Sequence, residues 1–350
     1  MTINIVKIFL PALVAFVLGI IITPFVSDFL YKHSMWKKKS VAFATDGEAT
    51  PISQALHNDE ERKTPRMGGI IIWASALITT LLFWIASKMD GPLLQKLSFL
   101  SRNQTWLPLF TLIVGALIGL VDDYWSVTER YDQKAGGLSF RKRLLVVFGV
   151  ALIGAWWFYA KLQVTSIIIP FVGTWNAGIL FIPFFVLVMI GTYSGGVIDG
   201  LDGLSGGIFS IIFSAYGFIA ILQNQIDLSA FCFVLVGGLL AFLWFNIPPA
   251  RFFMSETGIM ALTMTLAVVA FLTRQVLILP VIAFPLVISS ASSSIQLFSK
   301  KFRHGKKVFL VAPLHHHFQA LGWSGPKVTM RYWIIGALCG IVGIILALVG

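Results

Sequence analysis

The residues of this sequence that could do chemistry are acidic side chains at the ends of apolar segments. Asp122 and Asp123 directly follow the apolar segment LFTLIVGALIGLV. Asp199 and Asp202 stand three residues apart in the glycine-rich stretch TYSGGVIDGLDGLSGG, and Glu256 follows FNIPPARFFMS. Five carboxylates cannot gather without a compensating cation, because like charges repel and desolvation is costly. Oxygen-only ligands favour Mg²⁺, which is commonly held by one or two carboxylates together with substrate phosphates.

Each acid also has a purely structural explanation. Asp122 and Asp123 could begin a solvated loop. Asp199 and Asp202 could serve a turn, with Asp202 capping the helix that follows. Glu256 could be a favourable acid in the first turn of a helix. The five acids together are more specific evidence for a functional site than any one of them, because they all come from three loops.

A run of three histidines lies in APLHHHFQALGW. His315, His316 and His317 cannot all ligate one metal ion, because neighbouring side chains point apart, so a zinc site is disfavoured. Phosphate contact or proton transfer fits the run better, and an exposed histidine run is the structural alternative. Cys232 and Cys339 lie inside apolar segments and have no metal-ligand spacing.

Composition excludes most classes of soluble protein. The 350-residue chain is 57% hydrophobic and only 12% charged, whereas soluble domains carry roughly 25% charged residues. Its mean hydropathy is +0.86. Because a span needs about 20 apolar residues, the sequence predicts an all-α polytopic membrane protein with about ten transmembrane helices in a single domain, 1–350. The predicted spans are 3–31, 69–87, 106–121, 142–160, 178–195, 204–222, 228–245, 258–273, 276–298 and 332–349.

The positive charges predict the orientation in the membrane. Most of the 26 lysines and arginines, and all six histidines, fall in the odd-numbered loops between the predicted spans. By the positive-inside rule these loops face the cytoplasm, with both termini outside and the active site at the cytoplasmic face. The net charge of +11 is explained mainly by this rule, and attraction to anionic substrates is the alternative. The outer loop 161–177 is β-branched and predicts a short β-hairpin.

The location of the acids separates an enzyme from a transporter. A proton or ion transporter should carry acids in the middle of its spans, and the predicted span interiors are nearly free of them. A Mg²⁺–diphosphate site at the inner membrane surface favours transfer of a phosphoryl or phosphosugar group to a lipid. Nucleic-acid binding is excluded because membrane spans interrupt the basic residues.

Six stretches in order along the chain resemble a known family. They are TPRMGG (64–69), VDDY (121–124), GLS.R.R (137–143), DGLDGLSGG (199–207), FN.PPARFFM (245–254) and PLHHHFQALGW (313–323). The sequence is similar to the phospho-N-acetylmuramoyl-pentapeptide transferase family, within the polyprenyl-phosphate N-acetylhexosamine-1-phosphate transferase superfamily. The triple histidine favours this family over relatives that use other sugar nucleotides. The run 276–298 resembles the family's bent ninth helix, which borders a lipid-facing groove.

The resemblance implies a reaction and its partners. Undecaprenyl phosphate would attack the β-phosphate of UDP-N-acetylmuramoyl-pentapeptide, releasing UMP and forming lipid I in the bacterial cytoplasmic (inner) membrane. Both substrates and membrane lipid are the implied partners, a homodimer is a further option, and nucleic acid is not a partner. The alternatives are a related enzyme with another UDP-amino sugar donor and a catalytically weakened homologue.

The resemblance also implies residue roles. The candidate catalytic residues are Asp122, Asp123, Asp199, His315 and His316, with Asp122 favoured as the base. The candidate substrate-binding residues are Gly200, Leu201, Asp202, Asn246, Phe253, His317 and Lys134, with Phe253 stacking on uracil. The candidate ligand of Mg²⁺ (or Mn²⁺) is Glu256, with Asp122, Asp123 or Asp199 as further ligands.

Several positions depart from the family pattern. Tyr193 and Gly196 stand where the family has asparagines. Glu256 occupies the position of the family's metal-binding aspartate, and the residue before it is Ser255, where the family has glycine. The remaining departures are Ser126 and Glu61 for lysines and Gln319 for a glutamate. Because a glutamate reaches one methylene further, the metal geometry could differ. Every carboxylate position is still acidic, which favours a divergent but active lineage.

Overall fold

Long apolar helices dominate the computed structural model, which describes residues 2–36, 63–128 and 137–350. Eight of the described helices are long and apolar enough to cross a bilayer. They are α1 (Thr2–Lys32), α4 (Trp106–Thr128), α5 (Phe140–Trp156, continued by the π-helical turn Trp157–Lys161), α6 (Phe181–Ser194, between the 3-10 turns Gly178–Leu180 and Gly195–Ile198), α7 (Leu204–Leu222), α8 (Ile226–Asn246), α9 (Ser255–Leu272) and α13 (Gly325–Val349).

The other described helices are shorter or bent. They are α2 (Ile70–Ala86), α3 (Pro92–Leu97), α10 (Leu279–Ile282), α11 (Phe284–Phe302) and α12 (Leu314–Ala320). The segments Val276–Ile282 and Phe284–Phe302 form one apolar unit that bends by 81°. With α2 and this bent unit, each of the ten predicted segments coincides with helix, and the all-α polytopic fold is confirmed. Helices satisfy their own backbone hydrogen bonds, which a bilayer requires.

The predicted hairpin in the loop 161–177 is also confirmed. Strand β1 (Ser166–Ile169) pairs antiparallel with β2 (Gly173–Asn176). The Arg274 guanidinium donates a hydrogen bond to the Ser166 hydroxyl. This bond ties the hairpin to the end of α9, at the opposite end of that helix from Glu256.

Helix α9 lies at the centre of the bundle. In its most apolar stretch 89% of the residues are buried inside the protein, against 22% in α1 and in α13. Helices α4 and α6 pack directly against α9, and α8 packs against α1 and α7. The peripheral helices therefore expose apolar faces suited to lipid, while α9 is enclosed by protein.

Two glycines let α4 approach α9 backbone to backbone. Gly115 and Gly119 stand four residues apart and share one face of α4. A Cβ on Gly115 would lie 2.8 Å from the carbonyl oxygen of Met260, and a Cβ on Gly119 would overlap the backbone of Glu256. Small residues four apart are a common basis of close helix packing in membranes. This contact places the residues after Gly119 against the first turn of α9.

The end of α4 differs from the prediction. The helix was expected to end at 121 with the acidic pair, but it continues to Thr128. Asp122 and Asp123 therefore lie before its last turn, and both are buried. The reason is that bonds to neighbouring segments compensate the two acids, so the pair does not mark the boundary with solvent.

Replacing Gly119 with alanine should separate α4 from α9. The new methyl group would meet backbone atoms of Glu256 and Thr257, which cannot rotate away, so we expect Gly119→Ala to lose roughly 1–3 kcal/mol of stability. The measurement is thermal unfolding of purified protein in detergent. Gly149→Ala is the matched control, because a Cβ there meets nothing within 4 Å. Equal unfolding temperatures for both variants would contradict the proposed packing.

Candidate active site

Asp123 joins the end of α4 to the start of α9. Its carboxylate is fully buried. Oδ2 accepts hydrogen bonds from the backbone N–H of Thr257 at 2.9 Å and from the Thr257 hydroxyl at 2.7 Å. Free N–H groups in the first turn of a helix favour negative charge. Asp123 therefore lies at the stabilising end of α9, an arrangement that its position on α4 did not reveal.

Asp122 faces the start of the neighbouring segment 137–143. Its Oδ1 accepts a hydrogen bond from the backbone N–H of Leu138. Gly137 has a φ of +77°, and a Cβ there would lie 2.8 Å from Asp122 Oδ1. Glycine is required at this position both by its φ and by the close approach. The motif GLS.R.R thus begins with a turn that wraps one side of Asp122.

Arg143 lies between two carboxylates of the site. Its Nη2 is 2.8 Å from Asp122 Oδ2, and its Nη1 donates to Glu256 Oε1. The side chains of Asp122, Arg143 and Glu256 are 1%, 23% and 20% exposed. Sequence reasoning required a compensating cation and missed this one. The second arginine of GLS.R.R was the available signal.

Asp199 connects the turn after α6 to the start of α9. Its Oδ1 accepts a hydrogen bond from the Ser205 hydroxyl at 2.7 Å, and its Oδ2 accepts one from the backbone N–H of Ser255 at 2.9 Å. Burial raises the pKa of Asp199, and the two hydrogen bonds oppose that rise. Asp199 and Asp123 therefore hold the same end of α9 from two different sides.

Asp202 and Asn246 hold the rest of this turn in place. Asp202 Oδ2 accepts a hydrogen bond from the N–H of Ala250 at 3.0 Å. Asn246 accepts one from the N–H of Gly203 at 3.0 Å and donates one to the carbonyl of Phe252 at 2.8 Å. The residue before α7 is Gly203, with φ +74° and no capping side chain, so Asp202 is not the helix cap. The predicted uridine contacts of Asp202 and Asn246 stay predictions.

The motif TPRMGG pairs with the segment that precedes α9. The N–H of Phe253 donates to the carbonyl of Pro65 at 2.8 Å, and the N–H of Gly68 donates back to the carbonyl of Phe253 at 2.9 Å. The Phe253 side chain is half-buried, and its predicted stacking on uracil stays a prediction. The positive charge of Arg66 acts on the carboxylates of this group, which are Asp123, Asp199 and Glu256.

Two of the three histidines face the turn at Gly200. A Cβ on Gly200 would lie 2.5 Å from His315 Nε2 and 2.7 Å from His316 Nε2. His315 is fully buried, and neither ring nitrogen has a hydrogen-bond partner among the described residues. Burial, with a smaller contribution from His316, lowers the pKa of His315 well below its usual range, so the ring is neutral at pH 7.

The third histidine points elsewhere. His317 Nδ1 accepts a hydrogen bond from the N–H of Leu310 at 3.2 Å. The ring of Phe309 lies 5.6 Å from the His317 ring. The resemblance implies a role in the site for each of the three histidines, but only His315 and His316 face Gly200. His316 is held by the departure Gln319, whose Oε1 lies 2.8 Å from His316 Nδ1.

Other predicted residues lie at the margin of this group or outside the described residues. Leu201 is half-buried beside Gly325. Lys134 falls in 129–136 and Glu61 falls in 37–62, and both stretches are outside the described residues. The departure Gly196 packs so closely on Ile259 that an added Cβ would overlap that side chain. Tyr193, the other departure on α6, accepts a hydrogen bond from Arg143.

The carboxylates fit a magnesium ion as an incomplete set of ligands. Asp123 Oδ1 and Glu256 Oε2 are buried and have no hydrogen-bond partner among the described residues. Across 2–36, 63–128 and 137–350, no three His, Cys, Asp or Glu side chains are gathered closely enough to hold a metal ion. Mg²⁺ usually takes one or two carboxylates and completes its shell with phosphates and water. The predicted ion therefore fits the donor chemistry and stays a prediction.

The backbone at Ser255 is strained, and this leads to a testable prediction. Its φ is +56°, a conformation that disfavours any residue with a Cβ by about 1–2 kcal/mol. We expect Ser255→Gly to raise the unfolding temperature, with a net gain of roughly 0.5–1 kcal/mol after the extra freedom of glycine in the unfolded chain is counted. Ser255→Ala keeps the strain and is the control. A gain in the alanine variant, or none in the glycine variant, would show that Ser255 is not strained.

The sequence is similar to those of known proteins. Residues 105–274 match glycosyl transferase family 4. Phospho-N-acetylmuramoyl-pentapeptide-transferase of Chloroflexus aurantiacus is 36% identical and aligns over 97% of this chain and 89% of its own. The enzymes of the same name from Listeria innocua and Bacillus cytotoxicus are 32% and 34% identical, each with 95% of both chains aligned. At this identity over nearly the full length, the chain belongs to the phospho-N-acetylmuramoyl-pentapeptide-transferase family.

Proposed function

We propose that this protein transfers phospho-N-acetylmuramoyl-pentapeptide from its UDP donor to undecaprenyl phosphate, releasing UMP and forming lipid I in peptidoglycan synthesis. The names of its relatives support this reaction. The observation that carries the proposal is the gathering of Asp122, Asp123, Asp199 and Glu256 around the first turn of α9. That gathering creates a place where phosphate and its counter-ion would be bound together.

The proposed chemistry is a displacement at phosphorus. An oxygen of undecaprenyl phosphate forms a bond to the β-phosphorus of the donor, and the bond from that phosphorus to the bridging oxygen breaks, so UMP leaves with the electron pair. Asp122 is the proposed base for the lipid phosphate, with Asp123 beside it. A base must reach the proton that it takes, and Arg143 would fix the orientation of the Asp122 carboxylate toward the lipid phosphate.

Charge balance supports the divalent ion. Four carboxylates meet around α9, and two arginines among the described residues, Arg66 and Arg143, act on them. The acids therefore outnumber these two arginines, and a bound cation would lower the remaining repulsion. Bound Mg²⁺ would offset negative charge on the diphosphate as the leaving group departs. Glu256 and Asp123 would hold it through the carboxylate oxygens that have no hydrogen-bond partner in the part of the chain that the structure describes.

The histidines and Phe253 are proposed to hold the nucleotide diphosphate. Because His315 is neutral, one of its ring nitrogens carries a proton that can be donated to a phosphate oxygen. Gly200 has no side chain, which lets the rings of His315 and His316 lie directly against its backbone. The half-buried Phe253 offers a ring face for uracil.

The site is proposed to face the cytoplasm of a bacterial cell, in the cytoplasmic membrane. Several apolar helices make the protein a multi-pass membrane protein. The basic segment at the end of α11, KKFRHGKK (300–307), lies in one of the loops assigned to the cytoplasm by the positive-inside rule.

The direct test is product formation. Purified protein is incubated with undecaprenyl phosphate, the UDP-linked pentapeptide and Mg²⁺, and we expect UMP and a lipid-linked product. Release of UMP only from a different UDP-amino sugar would favour the second candidate, a related transferase. That outcome has a structural basis in Tyr193 and Gly196, which stand where the resemblance expects amide side chains.

Removing single charges should stop the reaction without unfolding the protein. We expect Asp122→Asn, Asp199→Asn and Glu256→Gln each to reduce UMP release by at least about a hundredfold, since each removes charge from the reacting centre. Unfolding in detergent is measured alongside activity to confirm that the variants are folded. Turnover close to wild type in all three would reject this site.

Chelation should also stop the reaction. We expect excess EDTA to abolish UMP release and Mg²⁺ or Mn²⁺ to restore it, because the carboxylates are otherwise unbalanced. Release of UMP is followed before and after the ion is added back. Full turnover in EDTA would contradict the metal proposal while leaving the transfer reaction itself intact.

A further inference from the structure

Arg143 has the geometry of a residue that acts through its neighbours. Its two terminal nitrogens reach two different carboxylates, Asp122 on α4 and Glu256 on α9. A guanidinium group presents its donors in a rigid planar fork, so one arginine can set the separation of two acceptors. Arg143 lies in the first turn of α5, in the sequence FRKR, so a third helix takes part in this contact.

The contact with Glu256 leaves one oxygen of that carboxylate unused. Oε1 accepts from Arg143, whereas Oε2 is buried and has no hydrogen-bond partner among the described residues. Asp123 also has one such oxygen, Oδ1. A buried carboxylate oxygen without a hydrogen-bond partner costs free energy of folding, and a bound ligand removes that cost. The arginine therefore holds Glu256 by one oxygen and leaves the other for a cation.

Arg143 is itself held by α6. Tyr193 accepts a hydrogen bond from it, and Tyr193 is buried. Four helices, α4, α5, α6 and α9, thus converge on one guanidinium group. A single substitution at Arg143 should loosen Asp122 and Glu256 together, which no other described contact does.

We propose that Arg143 is a positioning residue that holds Asp122 and Glu256 together and leaves the second oxygen of Glu256 for the divalent ion. This inference rests on the proposed function only in that a divalent ion binds at these carboxylates. Partners that orient a metal ligand typically change metal affinity by about 10–100-fold when removed. The role therefore predicts a change in ion affinity that does not depend on turnover.

The experiment measures ion binding without substrates. The unfolding temperature of the full-length chain in detergent is followed as Mg²⁺ alone is titrated, for wild type, Arg143→Met and Arg143→Lys. We expect the Mg²⁺ concentration at half of the maximal shift to rise at least about tenfold in Arg143→Met. Arg143→Lys should rise less, because a lysine keeps the charge but not the fork.

The controls separate ion affinity from general damage. Arg274→Met removes an arginine bonded to Ser166 at the opposite end of α9 and should leave the Mg²⁺ dependence unchanged. Glu256→Asp shortens the carboxylate that Arg143 holds, so the double variant with Arg143→Met should lose little more affinity than the larger single loss. If Arg143→Met does not fold, Arg143→Lys and Glu256→Asp decide the question.

The outcomes distinguish this inference from the proposed function. A wild-type Mg²⁺ dependence in Arg143→Met, or no Mg²⁺ shift in wild type, overturns the inference. If wild type forms the lipid-linked product but Arg143→Met binds Mg²⁺ as tightly as wild type, the proposed function is upheld and the inference is overturned. An Arg143-dependent Mg²⁺ shift without product upholds the inference and overturns the proposed function.

Discussion

The constraint on which the site depends is the burial of several negative charges at one end of a helical bundle. Asp122 and Asp123 are almost entirely buried, and an isolated buried carboxylate is strongly unfavourable. Each acid is compensated differently: Asp123 by the N–H and the hydroxyl of Thr257 at the start of α9, Asp122 by Arg143, and Asp199 by the Ser205 hydroxyl and the Ser255 N–H. One oxygen each of Asp123 and Glu256 has no hydrogen-bond partner within 2–36, 63–128 and 137–350, so this part of the balance is open to a ligand.

Close helix packing makes that arrangement geometrically available. Gly115 and Gly119 bring the backbone of α4 onto the backbone of α9, so acids on one helix reach the first turn of the other. Larger residues would hold the helices apart. The strained φ at Ser255 belongs to the same junction, since its N–H must turn toward Asp199 as Thr257 turns toward Asp123. Backbone strain is commonly stored at functional sites and held there by surrounding contacts.

Four of the departures from the family pattern, Tyr193, Gly196, Ser255 and Glu256, lie within a connected group of residues. Tyr193 contacts Arg143, Arg143 contacts Glu256, and Ser255 precedes Glu256 in the chain. Gly196 lies in the 3-10 turn that follows α6, three residues after Tyr193, and packs on Ile259 of α9. Substitutions that touch one another can compensate one another, whereas scattered ones act independently. These four departures therefore form one group around α9, and the site keeps its acids.

Fold class and the identity of the acids were predictable from sequence, because hydropathy and spacing are local properties. Apolar runs predicted the helical segments, and the aspartates and Glu256 could be named at once. Tertiary structure decided which partner each acid has. Arg143, the partner of Asp122, and Thr257, the partner of Asp123, lie on other helices. Ser205, the partner of Asp199, lies in the helix that follows its turn. It also separated His317 from His315 and His316, and continued α4 past the acidic pair. These outcomes depend on which helices meet and on how closely their backbones approach, and no local pattern encodes that.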